Sequence, residues 1–377
     1  KGRKTLTEVE LGKYYGSLMD RSLRVIHNEE LIHPFQPYNN IATANQIEYF
    51  EKVFDLNSPI DSSDQIWQWK ELMTLITMIV AMIMLIPFSR FLLSQNIFNT
   101  LVKDVPKALP QQNKTSKIIF WIIFFLGAFI ASMSYIPMVD AAKVIFADAA
   151  NRELTWFYPQ RMNNSVMLWA AFNGVIGLIL FTGSYQFFGK KHGVSISSWG
   201  LEADIKYIAK TFGLALTVFA SYYALLFLIY YIFHVDYRFW FMGVRIFQPE
   251  MLLVLAMYAP IFFIFFFSNS LRVNGAMRIK GQAEWKSMLI AGVANSLGLF
   301  LIILLQYVTF ALTGTVFWTT NWLSVNLLFA IVPMMFVLPY FNRYFFYMTG
   351  RVYLGPMVTT LVFIMILSTN TVVYLPI

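Results

Sequence analysis

The sequence predicts an all-α polytopic membrane protein of about eight transmembrane helices, preceded by a short α/β segment. Three observations predict it. Of 377 residues, 58% are hydrophobic and 13% charged, whereas a soluble domain carries roughly 25% charged residues. Apolar runs of spanning length recur eight times along the chain. Between them, the basic residues collect in alternate connections.

The first run marks where the chain changes medium. Asp64-Gln65-Ile66-Trp67-Gln68-Trp69-Lys70-Glu71 puts two Trp and a charged pair at its start, residues 72–88 carry no charge, and Arg90 closes it. A helix of about twenty residues at ~1.5 Å rise crosses a ~30 Å hydrocarbon layer, and Trp and a cation are its usual anchors. The spans are expected at about 69–89, 118–139, 166–188, 207–233, 251–267, 288–312, 323–341 and 354–375. All are read as helices, because backbone polar groups in lipid must be satisfied internally and no alternating barrel pattern occurs.

The net charge of +8 is uneven: residues 1–65 hold seven Lys and Arg against ten Asp and Glu (−3), leaving twenty-one against ten (+11) for the rest. About fifteen basic residues fall in the connections after the first, third, fifth and seventh spans, and five in the others. The positive-inside bias then makes the first group cytoplasmic, so residues 1–63 and the C-terminus are expected on the extracytoplasmic side of a cell membrane. This loop asymmetry accounts for the basic excess without nucleic acid. The partner it implies is the lipid bilayer. With no cysteine in the chain, disulfides, thiolate metal sites and Cys nucleophiles are excluded.

Residues 1–63 read as the end of a soluble domain. Ser22-Leu23-Arg24-Val25-Ile26 alternates as a strand does, and residues 43–54 place Ala44, Ile47, Phe50 and Phe54 on one helical face. One strand and one helix cannot bury a core, so this segment is expected to complete a sheet lying upstream or to pack on the membrane part. Lys1-Gly2-Arg3-Lys4 does not begin a signal peptide, and the chain reads as a piece of a longer one. Two outer connections, 140–164 and the aromatic stretch 233–241, read as interfacial segments, or as segments that dock the soluble domain or admit an amphiphilic substrate. Ser198 is expected to cap a cytoplasmic lead-in to the fourth span.

Recognisable chemistry is sparse. His192 and His234 lie in loops, and His27 and His33 lack the spacing of a metal pair, so no metal and no cofactor are expected. Gly193-Val194-Ser195-Ile196-Ser197 lacks the second Gly of a nucleophile elbow. The spans as drawn hold almost no ionisable residue. Their polar members, Asn173, Asn295, Ser296, Gln306 and Asn326, are of types that more often join helices than move ions. Gly174, Gly177, Gly292 and Gly298 read as close-packing points.

The N-terminal segment resembles the last strand, catalytic-His loop and closing helix of an α/β-hydrolase, on the strength of Asp20 to Ile26, His33-Pro34, and Gln46-Ile47-Glu48-Tyr49-Phe50 with Phe54. The whole chain then looks like the C-terminal part of a bacterial multi-pass membrane α/β-hydrolase: residues 1–63 as the extracytoplasmic end of the hydrolase domain, and 64–377 as its membrane domain. The resemblance implies ester or amide hydrolysis of a lipid, envelope or extracellular substrate, with His33 as the triad's general base. It also implies a nucleophile and acid that residues 1–377 do not contain, so the chain by itself would be inactive. The competing expectations are a transporter or permease, and a structural membrane subunit.

Overall fold

A computed structural model describes residues 8–246 and 248–376. The chain separates into two compact units. One comprises the N-terminal residues through Ile76 together with Phe239–Phe241, and the other comprises Thr77–Arg238 and Met242 onward.

In the first unit, the segment expected as a strand pairs with its neighbour at a single antiparallel bridge, Tyr15 with Arg24. Their amides and carbonyls exchange two 2.8 Å bonds. Residues 22–26 therefore form no strand of their own. Their alternation is real, but a ladder needs a further strand on which to propagate. The helix is present as α1 (Asn40–Phe54). Asn39 caps it, its Oδ1 accepting from the amides of Ile41 at 2.9 Å and Ala42 at 3.0 Å. Tyr49 stacks on Tyr14, and Lys52 lies over the same ring. Leu23 and Ala42 are the buried apolar residues here, whereas Ile41, Phe50 and Phe54 are exposed. Trp240 sits edge-on to Phe35 at 4.8 Å and near Tyr38. The aromatic stretch 233–241 thus contributes its tip to the N-terminal unit.

Helix α2 (Trp67–Leu93) runs from one unit into the other. The remaining helices are α3 (Lys114–Ile145), the single turn α4 (Ala147–Ala150), α5 (Arg161–Ser184), α6 (Ile205–Phe233), α7 (Met251–Leu271), α8 (Glu284–Thr313), α9 (Trp322–Thr349) and α10 (Leu354–Thr369). Two π-helical turns, Tyr185–Gly189 and Arg272–Ala276, prolong α5 and α7. Strands β1 (Arg238–Phe239) and β2 (Met242–Gly243) make a small hairpin.

Among the described residues seven helices, α2, α3, α5, α6, α7, α8 and α9, are long and apolar enough to cross a membrane by length and composition, against about eight expected. The last apolar run forms a 16-residue helix, whose rise of about 24 Å falls short of the ~30 Å core. It is nevertheless central. Every residue from Leu354 to Ser368 is buried, as expected of a helix that is apolar all round. It packs on α6, α7 and α9. The chain beyond it continues in extended form, Tyr374 exchanging backbone bonds of 2.8 Å with Thr155 and Pro159. On the other side of the bundle, α3, α5, α7, α9 and α8 pack in a ring, each against the next. The outward stripe of α3 is formed by Ile122, Phe125, Phe129 and Met133, each at least 60% exposed. Water would not tolerate that surface, but hydrocarbon would.

Glycines let the ring close. A Cβ on Gly174 would sit 2.8 Å from the Phe265 backbone, on Gly292 2.8 Å from the Phe336 carbonyl, and on Gly298 2.7 Å from that of Ala128. These are the helix-contact points that small residues make in membranes. At the end bearing the basic connections, the loops interlock. Leu109 bridges Ile279. Arg278 donates to the carbonyls of Asn274, Pro106 and Ser198 at 2.7–2.8 Å, and burial pulls its pKa down to about 10. The lead-in to α6 is a 3-10 turn capped by Ser195. Asp204, not Ser198, caps α6 itself, because it immediately precedes the helix and accepts from the Lys206 amide at 2.9 Å.

Candidate functional site

The helices run further than the charge-free stretches that foretold them. The fifth span ends at Ala276 rather than 267, and the seventh at Thr349 rather than 341. The sequence Ser268-Asn269-Ser270-Leu271-Arg272-Val273-Asn274 is polar, but it holds no Gly or Pro to stop a helix before Gly275. Arg272, Arg343 and Glu284 therefore belong to helices, which corrects the reading that the spans hold almost no ionisable residue.

Helical spacing sorts that polar run onto two faces. Ser270 and Asn274 face α9 and the segment after it. The Ser270 hydroxyl donates to the Val352 carbonyl at 2.8 Å, and Asn274 Oδ1 accepts from Arg343 Nε at 3.1 Å. Every nitrogen of Arg343 has an acceptor. Nη1 donates to both carboxylate oxygens of Glu284 at 2.7 and 2.9 Å, and Nη2 donates to the Val273 carbonyl at 2.6 Å.

Asn269, Arg272 and Ala276 lie on the other face and line a cavity of about 170 Å³ enclosed by α3, α5, α7 and α8. Asn342 donates to Asn269 Oδ1 at 3.0 Å. Asn269 in turn donates to Asn295 Oδ1, which also accepts from Arg272 Nη2. Two donors on that oxygen fix the orientation of the Asn295 amide. The same geometry leaves Arg272 Nε and Asn295 Nδ2 buried without a partner. Both are donors. Among the described residues Arg272 has no ion-pair partner, although buried cations are ordinarily paired.

The polar groups are unevenly distributed in this cavity. Arg272, Asn269, Asn295, Ser268 and Ser184 lie towards the basic connections. Phe265 is seven residues from Arg272, about 10 Å along α7, and marks with Trp169 and Ala131 an apolar end deeper in the bundle. Partway along, Asn173 donates to Ser134 Oγ at 3.0 Å and to the Trp169 carbonyl at 2.9 Å, tying α5 to α3.

A second chamber of about 250 Å³ adjoins the first and shares Phe120, Ile123, Phe181, Ser184 and Ala276 with it. It reaches the basic connections at Gln111, Asn113 and His192. Both π turns line this passage, and such turns often mark functional sites. At the junction, Phe181 and Trp199 meet at 4.6 Å. A Cβ on Gly275 would come within 3.0 Å of Phe181 and 3.2 Å of Trp199, so any larger residue there would have to push these rings off the turn.

The residues singled out from the sequence divide accordingly. Asn173 and Asn295 line the cavity, while Asn326 and Gln306 join neighbouring segments elsewhere. Ser296 bonds back to Gly292 in its own helix. His33 is exposed at the start of a 3-10 turn in the other unit, and His27 is half-buried there with Nε2 lacking a partner. His192 bonds to the Phe188 carbonyl at 2.8 Å, and His234 terminates α6. Among the described residues no group of three acidic or His side chains gathers as metal ligands. Taken together, these features define an all-α protein of multi-pass form with a polar-ended cleft among its helices. Comparisons with protein-family models, curated proteins and solved structures find no match to this chain.

Proposed function

We propose that the chain is a membrane-embedded domain that takes an amphiphilic, lipid-like molecule into the cleft among α3, α5, α7 and α8. The observation that carries this reading is the placement of the polar groups in the cleft: a cation with asparagines and serines gathers towards the basic connections, within a lining that is otherwise mostly apolar. A purely structural bundle has no use for a cavity ending in an arginine that, among the described residues, has no carboxylate partner. A solute permease would be expected to have polar lining throughout its pathway. By the distribution of basic connections, the polar end faces the cytoplasmic leaflet of a cell membrane, and the N-terminal unit lies outside.

Photo-crosslinking tests this. With benzoylphenylalanine at Phe181, inside the cleft, an amphiphile is expected to stay attached at defined mass through detergent exchange. The same probe at Phe129, on the outward stripe, should give only the heterogeneous adducts of bulk lipid. Identical adduct patterns at the two positions would sink the proposal.

A second reading keeps the hydrolase resemblance: the membrane domain holds the substrate, and His33 serves as general base to a nucleophile supplied upstream. It is favoured by the exposed Phe50 and Phe54, four residues apart on one face of α1, a face suited to packing on a larger domain. Fluorophosphonate labelling of the full native gene product tests it. Absence of a labelled serine discards the hydrolase and leaves the cleft untouched.

A further inference from the structure

We infer that the cleft selects amphiphiles with an anionic head, a phosphate or carboxylate, which Arg272 and Asn295 bind. This rests on the reading of the cleft as an amphiphile site and names the chemistry it accepts. Three features of the chamber carry it. The two orphaned groups, Arg272 Nε and Asn295 Nδ2, are both donors, and an acceptor-rich anion satisfies donors where a cationic or donor-bearing head would not. Arg272 is half-buried and lines the chamber with no carboxylate beside it among the described residues. The nearby Arg343, by contrast, has its acid in Glu284. The charge of Arg272 is thus uncompensated by the protein, and a bound anion would compensate it.

The chamber also accounts for the chain of the ligand. From Arg272 the cavity continues to Phe265 and Trp169, a stretch suited to the first part of an acyl chain. Gly127 lines this apolar stretch, and a Cβ added there would meet nothing within 4 Å. A larger side chain at 127 would therefore enter the space with its Cβ clear of the fold. Leu also restores the helix propensity that Gly lacks.

The test reads lipid retention by native mass spectrometry on the full chain, reconstituted in phosphatidylcholine vesicles with a minor fraction of phosphatidylglycerol. The wild type is expected to retain the anionic lipid enriched about tenfold over its share of the vesicle, the size of one charge-assisted contact. Arg272→Gln should return the enrichment to that produced by the basic loops alone, and Arg272→Lys should keep part of it. Unchanged enrichment in Arg272→Gln overturns the assignment of the anion to this site. Gly127→Leu should reduce retention of the anionic lipid while leaving thermal stability equal or higher. Full retention in that variant overturns the placement of the chain.

A competition arm separates lipid head from free anion. Dodecyl phosphate should displace the lipid where inorganic phosphate at equal concentration does not. Equal displacement by both would show a free-anion site. That outcome would remove the amphiphile reading and leave the anion assignment standing.

Discussion

Arg343 and Arg272 reach the same layer of asparagines from different helices. Arg343, on α9, is 3% exposed and has a bidentate acid, a carbonyl and an amide for its donors. Arg272, in the π turn after α7, has one amide oxygen for a partner and an Nε with none. The two arginines therefore carry different obligations. A guanidinium whose every nitrogen has an acceptor in the protein fixes the packing of three segments: α8, α9 and the turn after α7. A guanidinium left with open donors beside a cavity is poised for something the protein does not itself contain. Burial alone does not distinguish a structural arginine from a binding one. Counting donors does.

The sharpest way to break this contrast is to remove each charge and compare stability. Arg343→Met is expected to cost about 3 kcal/mol or more, since breaking a buried pair strands its partners. Glu284 keeps half its surface in solvent, so the loss should lie at the low end and come mainly from the Val273 carbonyl and Asn274. Thermal unfolding in detergent checks it. Arg343→Lys should recover little, because a single ammonium cannot reach Glu284, the Val273 carbonyl and Asn274 Oδ1 together as Nη1, Nη2 and Nε do.

A second substitution probes the frame around the cavity. Gly174→Leu places a side chain against the backbone of Phe265, where even a Cβ would sit at 2.8 Å. Overpacking of this kind costs roughly 1–3 kcal/mol. The same unfolding assay should show a lower midpoint. An unchanged midpoint would mean that α5 and α7 separate easily, and the chamber between them could then not hold the shape on which the contrast depends.

Arg272→Met is expected to change stability by less than about 1 kcal/mol, and an increase is the favoured sign, because replacing an uncompensated buried charge by an apolar side chain removes a desolvation cost. A loss as large as that of Arg343→Met would show that Arg272 is structural after all, and the distinction between the two sites would collapse.

How much of this was legible beforehand follows from which forces act locally. The long apolar runs announced their helices, because hydropathy over twenty residues is a local property. The glycines at 174, 292 and 298 were recognisable as contact points by type, though not by partner. Arg272 was missed because the fifth span was closed at the last apolar residue, Phe267, and the arginine was counted as a loop cation. The signal was present: Asn269, Arg272 and Ala276 continue the helical spacing with no breaker before Gly275. Asn295 was noticed as polar within a span, but its meeting with Asn269 and Arg272 depends on how α7 and α8 pack, which no periodicity encodes. The strand at 22–26 failed for the complementary reason, since alternation is local but a ladder requires partners. Leu354–Thr369 was read as a span by its hydropathy. Its burial on all sides is a tertiary fact, and only its shortness hinted at it.

The smallest effect tests the end of the bundle where the basic loops interlock. Glu202 accepts from the amides of Asp204 at 3.4 Å and Ala203 at 3.0 Å, and pairs loosely with Arg351 at 3.5 Å. These contacts, the Asp204 amide foremost, hold its carboxyl below the ordinary value of 4.5. A carboxylate whose folded pKa is depressed contributes stability above its unfolded pKa and loses it as pH falls through the folded value. The midpoint difference between wild type and Glu202→Gln should therefore be constant near neutrality and shrink below about pH 4. The pair is partly solvated, so the difference should be a small fraction of that for Arg343→Met and should weaken with salt. A difference that persists unchanged in acid would mean that Glu202 acts through packing rather than charge, leaving the Arg343–Glu284 pair as the ionic lock at this end of the bundle.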